Sequence, residues 1–257
     1  MRKTNDLDLS AKFYMTMKRA MKLPGVKISR NNFLSKELEK RFGKEVADNA
    51  IATTPAEAGL TIEDIEPIAK SCIDLETRNV TGLSTLAGMP GGLVMAGTVP
   101  ADIVQYYGHI MRILQKLIYL YGWQEIVDAE TELEDEVQNV LTLFIGVMFG
   151  VQGASKAISN LAASIASKVE KELMKKALTK GTVYPIVKKV STTLGYKMTK
   201  EVFSKSIAKV VPIVGGIVSG GFTLATFLPS ARRLEGQLKT LPLADVEQYV
   251  KTEIVEL

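Results

Sequence analysis

Three stretches without a charged side chain constrain this chain most, because each approaches the roughly twenty residues that cross a hydrocarbon core. They cover residues 80–101, 137–153 and 210–231. The first contains two prolines and several glycines, which would leave backbone groups unpaired in lipid. The second is polar at Gln138 and Gln152, so its apolar centre suits a buried helix. Residues 210–231 therefore remain the one candidate for a membrane-spanning segment. A soluble or peripheral protein without such a segment is the favoured interpretation.

The third stretch carries a face of small residues. Gly216 and Gly220 form a GxxxG pattern, which lets helices approach closely in a membrane. The same face would seat a helix against a partner at short range in a soluble bundle. The predicted helix-packing residues are Gly215, Gly216, Gly220 and Gly221.

Apolar periodicity predicts helices throughout, whereas the alternation typical of strands is almost absent. The fold class expected is therefore all-α, a single helical domain over residues 1–257 with glycine-rich apolar hairpins or broken helices and little or no sheet. No Pro/Ser linker divides it, and residues 1–60 form a helical extension. The first helix is basic and amphipathic, with an apolar face of Leu9, Phe13, Met17 and Met21. That face is expected to pack on the core, with a membrane surface as the alternative.

Capping residues predict the helix boundaries. Asn32 is expected to begin a helix that ends at Gly43, and Thr61 with Asp64 to begin a helix over residues 62–75. Pro100 and Gly122 bound a long central helix. Four further helices are expected. The first continues through residues 137–153, and the second follows the apolar stripe from Ile158 to Leu173. The third ends at Gly195, and the fourth runs from Thr199 to Val211.

The amino-acid composition excludes several classes of partner and metal site. Hydrophobic residues make up 46% of the chain, and the net charge of +4 is too mild and too mixed to indicate a nucleic-acid partner. Cys72 and His109 are the only cysteine and the only histidine, which excludes zinc sites built from several of these residues. No cofactor is predicted. The acidic run from Asp128 to Glu136 is interpreted as a dipole-matched helix start rather than a cation site.

The central helix carries a polar stripe on an otherwise apolar surface. The spacing of three and four residues places one set of side chains on one face: Asp102, Gln105, His109, Arg112 and Lys116. Such a stripe either faces solvent or forms the polar end of an apolar cleft. In the second case Asp102 would orient the imidazole of His109, Arg112 would bind an anion, and Lys116 would lie nearer the open end. Met89, Gly91 and Gly92 would belong to the apolar wall.

Several motifs between residues 80 and 238 resemble those of EcsC-family proteins. The motifs are GLSTLAGMPGG at 82–92, PAD at 100–102, YLYGW at 119–123, and VPIVGG at 211–216 followed by SGG at 219–221. Family members often have Asn after the late glycine cluster, where this chain has Thr223 and Thr226. The resemblance implies a bacterial, helical protein, linked to ABC exporters or secretion and without a settled activity. It implies a cytoplasmic protein peripheral to the inner membrane and transfers no catalytic residues.

These observations lead to one hypothesis and its alternatives. The favoured function is a non-enzymatic, membrane-proximal protein that binds a hydrophobic or amphipathic ligand such as a lipid. The first alternative is an interaction module for a transporter, a secretion system or a toxin partner. The second is a toxin-like protein that inserts residues 210–231 into a membrane. An enzyme is the least favoured class, since no pair of nucleophile and base is evident.

Overall fold

The computed structural model describes residues 2–87, 101–126, 135–166, 183–197, 218–245 and 247. These residues form nine α-helices and a short 3-10 turn, Pro242–Ala244, and contain no strand. The all-α prediction is confirmed. The helices are α1 Arg2–Met21, α2 Arg30–Phe42, α3 Lys44–Ala52, α4 Ile62–Ala87, α5 Ala101–Leu120, α6 Asp135–Met148, α7 Ala154–Ala166, α8 Tyr184–Lys197 and α9 Val218–Leu238.

Helix α5 is the centre of the bundle. Helices α1, α2, α4, α6 and α9 all pack against it. From Ile110 to its end, every side chain of α5 is buried except that of Arg112, which is partly exposed. Gly122 ends the helix as predicted, with φ +88, and a Cβ there would overlap the carbonyl oxygen of Leu243.

Helix α1 turns its apolar face into this core. Phe13 and Met17 are fully buried, and Leu9 and Met21 are at most 8% exposed. The helix lies between α5 and α8. The interpretation of α1 as a core helix is therefore confirmed, and its opposite face is exposed, with Leu7, Met15 and Lys18.

Buried Arg30 joins the start of α2 to two other helix ends. Its guanidinium donates hydrogen bonds to the carbonyl oxygens of Ala50, Ile51 and Thr53, at the end of α3, and to that of Trp123 after α5. The distances are 2.7–3.2 Å. Carbonyl groups that no helix hydrogen bond uses thus receive a buried partner.

Capping was predicted correctly at some helix ends and wrongly at others. Thr61 and Asp64 form the expected reciprocal pair, in which the Asp64 carboxylate accepts from the Thr61 backbone N–H at 2.9 Å. The cap of α2 is Ser29 and not Asn32, because the Ser29 hydroxyl accepts from the Asn32 backbone N–H. Gly43, with φ +87, ends α2 and precedes α3 as expected.

Three predicted boundaries were wrong. Helix α4 continues beyond residue 75 to Ala87, because its buried side continues through Val80. Helix α6 stops at Met148, where Gly150 has φ +67, instead of running to residue 153. Gly195 lies inside α8, where α1 approaches so closely that a Cβ would overlap the carbonyl oxygen of Leu9.

Some predictions lie outside the described residues. They concern Met89, Gly91, Gly92, Gly215, Gly216, the acidic residues before Asp135, the stripe beyond Ala166 and the helix expected from Thr199. Gly220 and Gly221 lie in α9, which continues through Pro229 with Ala225 exposed, so that water can bind the freed carbonyl. Within the described ranges, no helix combines the length and the hydropathy that a membrane crossing requires.

Candidate functional site

A buried carboxylate on α4 binds three basic side chains of α5. Glu76, whose side chain is 0% exposed, contacts His109 Nδ1 at 3.0 Å through Oε2. Its Oε1 accepts from Arg112 Nε at 3.0 Å and from Lys116 Nζ at 2.8 Å. We call these four residues the Glu76 cluster. Three residues of the predicted stripe thus belong to an ion network between two helices, whereas the role predicted for Asp102 concerns a side chain outside the described residues.

The local sequence explains why both helices turn these groups toward each other. On α4, Ile65, Ile68, Cys72 and Val80 are buried, and Glu76 occupies the same stripe at helical spacing. On α5, steps of three and four residues align His109, Arg112 and Lys116. One carboxylate in an apolar stripe therefore faces the polar stripe of the neighbouring helix.

The Glu76 carboxyl remains ionised over the ordinary pH range. Burial alone would raise the pKa of Glu76, but the hydrogen bonds from His109 and Lys116 and the charges of Lys116 and Arg112 outweigh it. The net result lowers the pKa of this carboxyl to about 2. The cluster is thus held together by a permanent negative charge.

An ionised Glu76 also determines the tautomer of His109. A carboxylate can only accept hydrogen bonds, so the imidazole nitrogen that contacts it, Nδ1, must carry a proton. Nε2 is then the lone-pair nitrogen of the neutral ring. The His109 side chain is 14% exposed, so the cluster reaches the surface on this side.

Arg112 links the cluster to the turn between α1 and α2. Its Nη1 donates to the Gly25 carbonyl oxygen at 2.7 Å, while Nε binds Glu76. Gly25 has φ +69, and a Cβ there would lie 3.1 Å from Arg112 Nη1. The Arg112 side chain is 29% exposed, which makes it the most accessible member of the cluster.

Gln115 holds the same turn on α5. It is fully buried, its Nε2 donates to the Val26 carbonyl oxygen at 2.8 Å, and its Oε1 accepts from the Ile28 backbone N–H at 3.0 Å. About two helical turns earlier, Gly108 leaves room for Leu23, whose Cδ1 would lie 3.1 Å from a Cβ at that position. The turn is therefore fixed beside the exposed edge of Arg112.

The structure separates the five residues of the predicted stripe. Gln105 is exposed and forms no hydrogen bond with the described residues of the cluster, and the Asp102 side chain lies outside the described residues. His109 and Arg112 come together as expected, although the carboxylate that binds His109 is Glu76. Lys116 was expected nearer the open end, yet its side chain is 10% exposed, because Glu76 draws its ammonium group inward.

Glu76 and Gln115 were missed by the sequence analysis. The signal for Glu76 is present, since a carboxylate inside an apolar stripe needs a buried cation. Identifying that cation requires the packing of α4 on α5. Gln115 carries no such signal, because its partners are backbone groups of a turn about ninety residues away.

The described residues contain no group of three or more His, Cys, Asp or Glu side chains placed to hold a metal ion. Comparisons with family models, curated proteins and solved structures found no match to this chain. The candidate site therefore rests on its own geometry: one buried carboxylate, two permanent cations and one imidazole at the junction of α4, α5 and the α1–α2 turn.

Proposed function

We propose that this protein is a non-enzymatic binding protein for an amphipathic ligand with an anionic head group, of the lipid class, at the cytoplasmic face of the membrane. One observation carries the proposal: the single carboxylate of the Glu76 cluster faces two permanent cations and an imidazole. Counting described side chains, the cluster has one positive charge in excess even when His109 is neutral. A bound anion would balance that charge.

The partly buried position of the cluster strengthens its attraction for an anion. Lys116 is buried against Glu76, whereas Arg112 and His109 retain an accessible edge beside the α1–α2 turn. A charge-assisted hydrogen bond in such a partly desolvated place contributes about 1.5–3 kcal/mol, more than an exposed ion pair does. Arg112 is therefore the residue assigned to the head group.

The apolar part of the ligand is proposed from the sequence. The charge-free residues 80–101 include the end of α4 and the segment that follows it in sequence before α5, and these two helices carry the cluster. This sequence is rich in Gly, Leu and Val, and a composition of this kind is typical of the apolar part of a ligand site. The resemblance to EcsC-family proteins, which implies a membrane-proximal location, favours a lipid over a water-soluble anion.

Native mass spectrometry of gently purified protein tests the proposal. The wild-type chain should carry a bound amphiphile, and Arg112→Gln should lose most of it, because Gln cannot supply the charge. Arg233→Gln is the matched control, since Arg233 lies on α9 and also donates to a backbone carbonyl oxygen, that of Met148 at 2.6 Å. Wild-type protein without any amphiphile, or equal loads in the two variants, would contradict the proposed function.

A further inference from the structure

The two nitrogens of the His109 ring have different surroundings. Nδ1 donates to the Oε2 atom of Glu76 at 3.0 Å, which leaves Nε2 for another group. Among the described residues, none forms a hydrogen bond or an ion pair with Nε2. Within the part of the chain that the structure describes, the ring is therefore anchored through Nδ1 alone.

His109 and Arg112 stand side by side. They are three residues apart on α5 and bind the two oxygens of one carboxylate, His109 at Oε2 and Arg112 at Oε1. Arg112 uses Nε for Glu76 and Nη1 for Gly25, so Nη2 is the nitrogen left for an incoming group. An anion bound by Nη2 would lie on the same face of α5 as His109.

A bound anion interacts differently with the neutral and the protonated imidazole of His109. In neutral His109 the Nε2 lone pair repels an anion, whereas in imidazolium both ring nitrogens donate. The Glu76 carboxylate lies on the other side of the ring, 3.0 Å from Nδ1. The form of His109 that best accepts an anion is therefore the protonated one.

We propose that the Glu76 cluster binds a singly charged anionic head group together with one proton, which His109 takes up at Nε2. This inference rests on the proposed binding function. In the complex, the head group accepts from Arg112 Nη2 and from His109 Nε2, and the proton comes from solvent. Both a carboxylate and a phosphodiester meet this description.

The other described groups of the cluster are paired with one another. Glu76 on α4 and Lys116 and Arg112 on α5 form the ion pairs of the cluster. Cys72 lies one turn before Glu76, and burial raises the pKa of its thiol to about 11, so it stays neutral. The α1–α2 turn contributes the uncharged Gly25 carbonyl. Among the four residues of the Glu76 cluster, His109 is the one whose second ring nitrogen can accept a proton.

Calorimetric titration with decanesulfonate at pH 6, 7 and 8 tests the inference. The sulfonate remains a monoanion throughout, so any pH dependence belongs to the protein. The wild-type Kd should rise by up to about tenfold per pH unit above the imidazole range, as for one coupled proton. Apparent enthalpies should vary with the ionisation enthalpy of the buffer in the direction of proton uptake. Oleate and a short-chain phosphatidylglycerol then distinguish carboxylate from phosphodiester.

Two variants provide the comparison. His109→Gln keeps an N–H donor for Glu76 but cannot titrate, so its Kd should not change with pH. Gln105→Ala, an exposed position of the same stripe, should behave as wild type. Wild-type binding with the same Kd at all three pH values would overturn the proton coupling and leave the binding function standing. Absence of decanesulfonate binding at every pH would overturn both.

Discussion

At the scale of single residues, the stability of the α4–α5 contact depends on Glu76. Replacing it with Gln removes the one negative charge from a cluster in which Lys116 is buried and Arg112 is largely so. Leaving buried cations without a counter-charge costs about 3–5 kcal/mol in comparable cases. We expect Glu76→Gln to lower the free energy of unfolding by that order in urea denaturation. Glu66→Gln, an exposed carboxylate paired with Lys239, should change it little.

The same residue predicts an acid-sensitive stability. The pKa of Glu76 is lowered from the ordinary value of 4.5 to about 2 in the folded chain. A lowered carboxyl pKa stabilises the fold above the unfolded value, and this contribution is lost as the pH falls through the folded value. Stability should therefore decline between about pH 4.5 and 2, and Glu76→Gln should show a shallower decline. Parallel pH profiles for the two proteins would contradict the assignment.

Gly25 offers a test of the link between the α1–α2 turn and Arg112. Gly25→Ala and Gly43→Ala both place alanine at positive φ, +69 and +87, at a cost of about 1–2 kcal/mol each. Only at Gly25 does the new Cβ press on Arg112, whereas nothing lies within 4 Å at Gly43. We expect similar losses in melting temperature but a reduced ligand load for Gly25→Ala alone. Equal loads would show that Arg112 tolerates the displacement.

Individual residues were predictable where spacing along one helix decides their neighbours. His109 and Arg112 were placed on one face because helical periodicity requires it. Their common partner, Glu76, lies more than thirty residues away in sequence, on another helix. Arg30 and Gln115 could not be interpreted either, because their partners are backbone carbonyl and N–H groups that every residue possesses.

At the scale of helices, the contact between α1 and α8 depends on a residue without a side chain. Gly195→Ala would place a Cβ onto the carbonyl oxygen of Leu9, so the two helices must separate. We expect a loss of about 1–3 kcal/mol in the free energy of unfolding. Gly236→Ala in α9 has nothing within 4 Å and should instead gain about 0.5–1 kcal/mol. Thermal melts that rank the two variants the other way would refute the close contact.

The helix ends predicted at glycine residues were correct in some cases and wrong in another. Gly43 and Gly122 end helices with positive φ, whereas Gly195 continues its helix and admits a neighbour. The sequence alone does not distinguish a glycine that ends a helix from one that lies inside it, because the difference depends on a contact with a distant helix. Apolar periodicity was more dependable, as the buried face of α1 shows, since burial follows from the helix itself.

At the scale of the whole molecule, one central helix organises the described residues. Five helices surround α5, and its polar stripe ends inside the bundle rather than in water. The all-α class followed from periodicity and the lack of alternation. The position of the candidate site did not, because it arises where α4, α5 and the α1–α2 turn meet. The lipid-class ligand, the membrane location and the relation to EcsC-family proteins remain proposals.

The most direct test of the central claim is the affinity of the Glu76 cluster for an anionic amphiphile. Decanesulfonate would be titrated at pH 6 into wild-type protein, Arg112→Gln and Arg233→Gln, with folding checked by circular dichroism. The account predicts that Arg112→Gln raises the Kd by about 10-fold or more, as expected for a lost charge-assisted hydrogen bond, and that Arg233→Gln leaves it unchanged. An unchanged Kd in folded Arg112→Gln, or no binding by the wild-type chain, would contradict it.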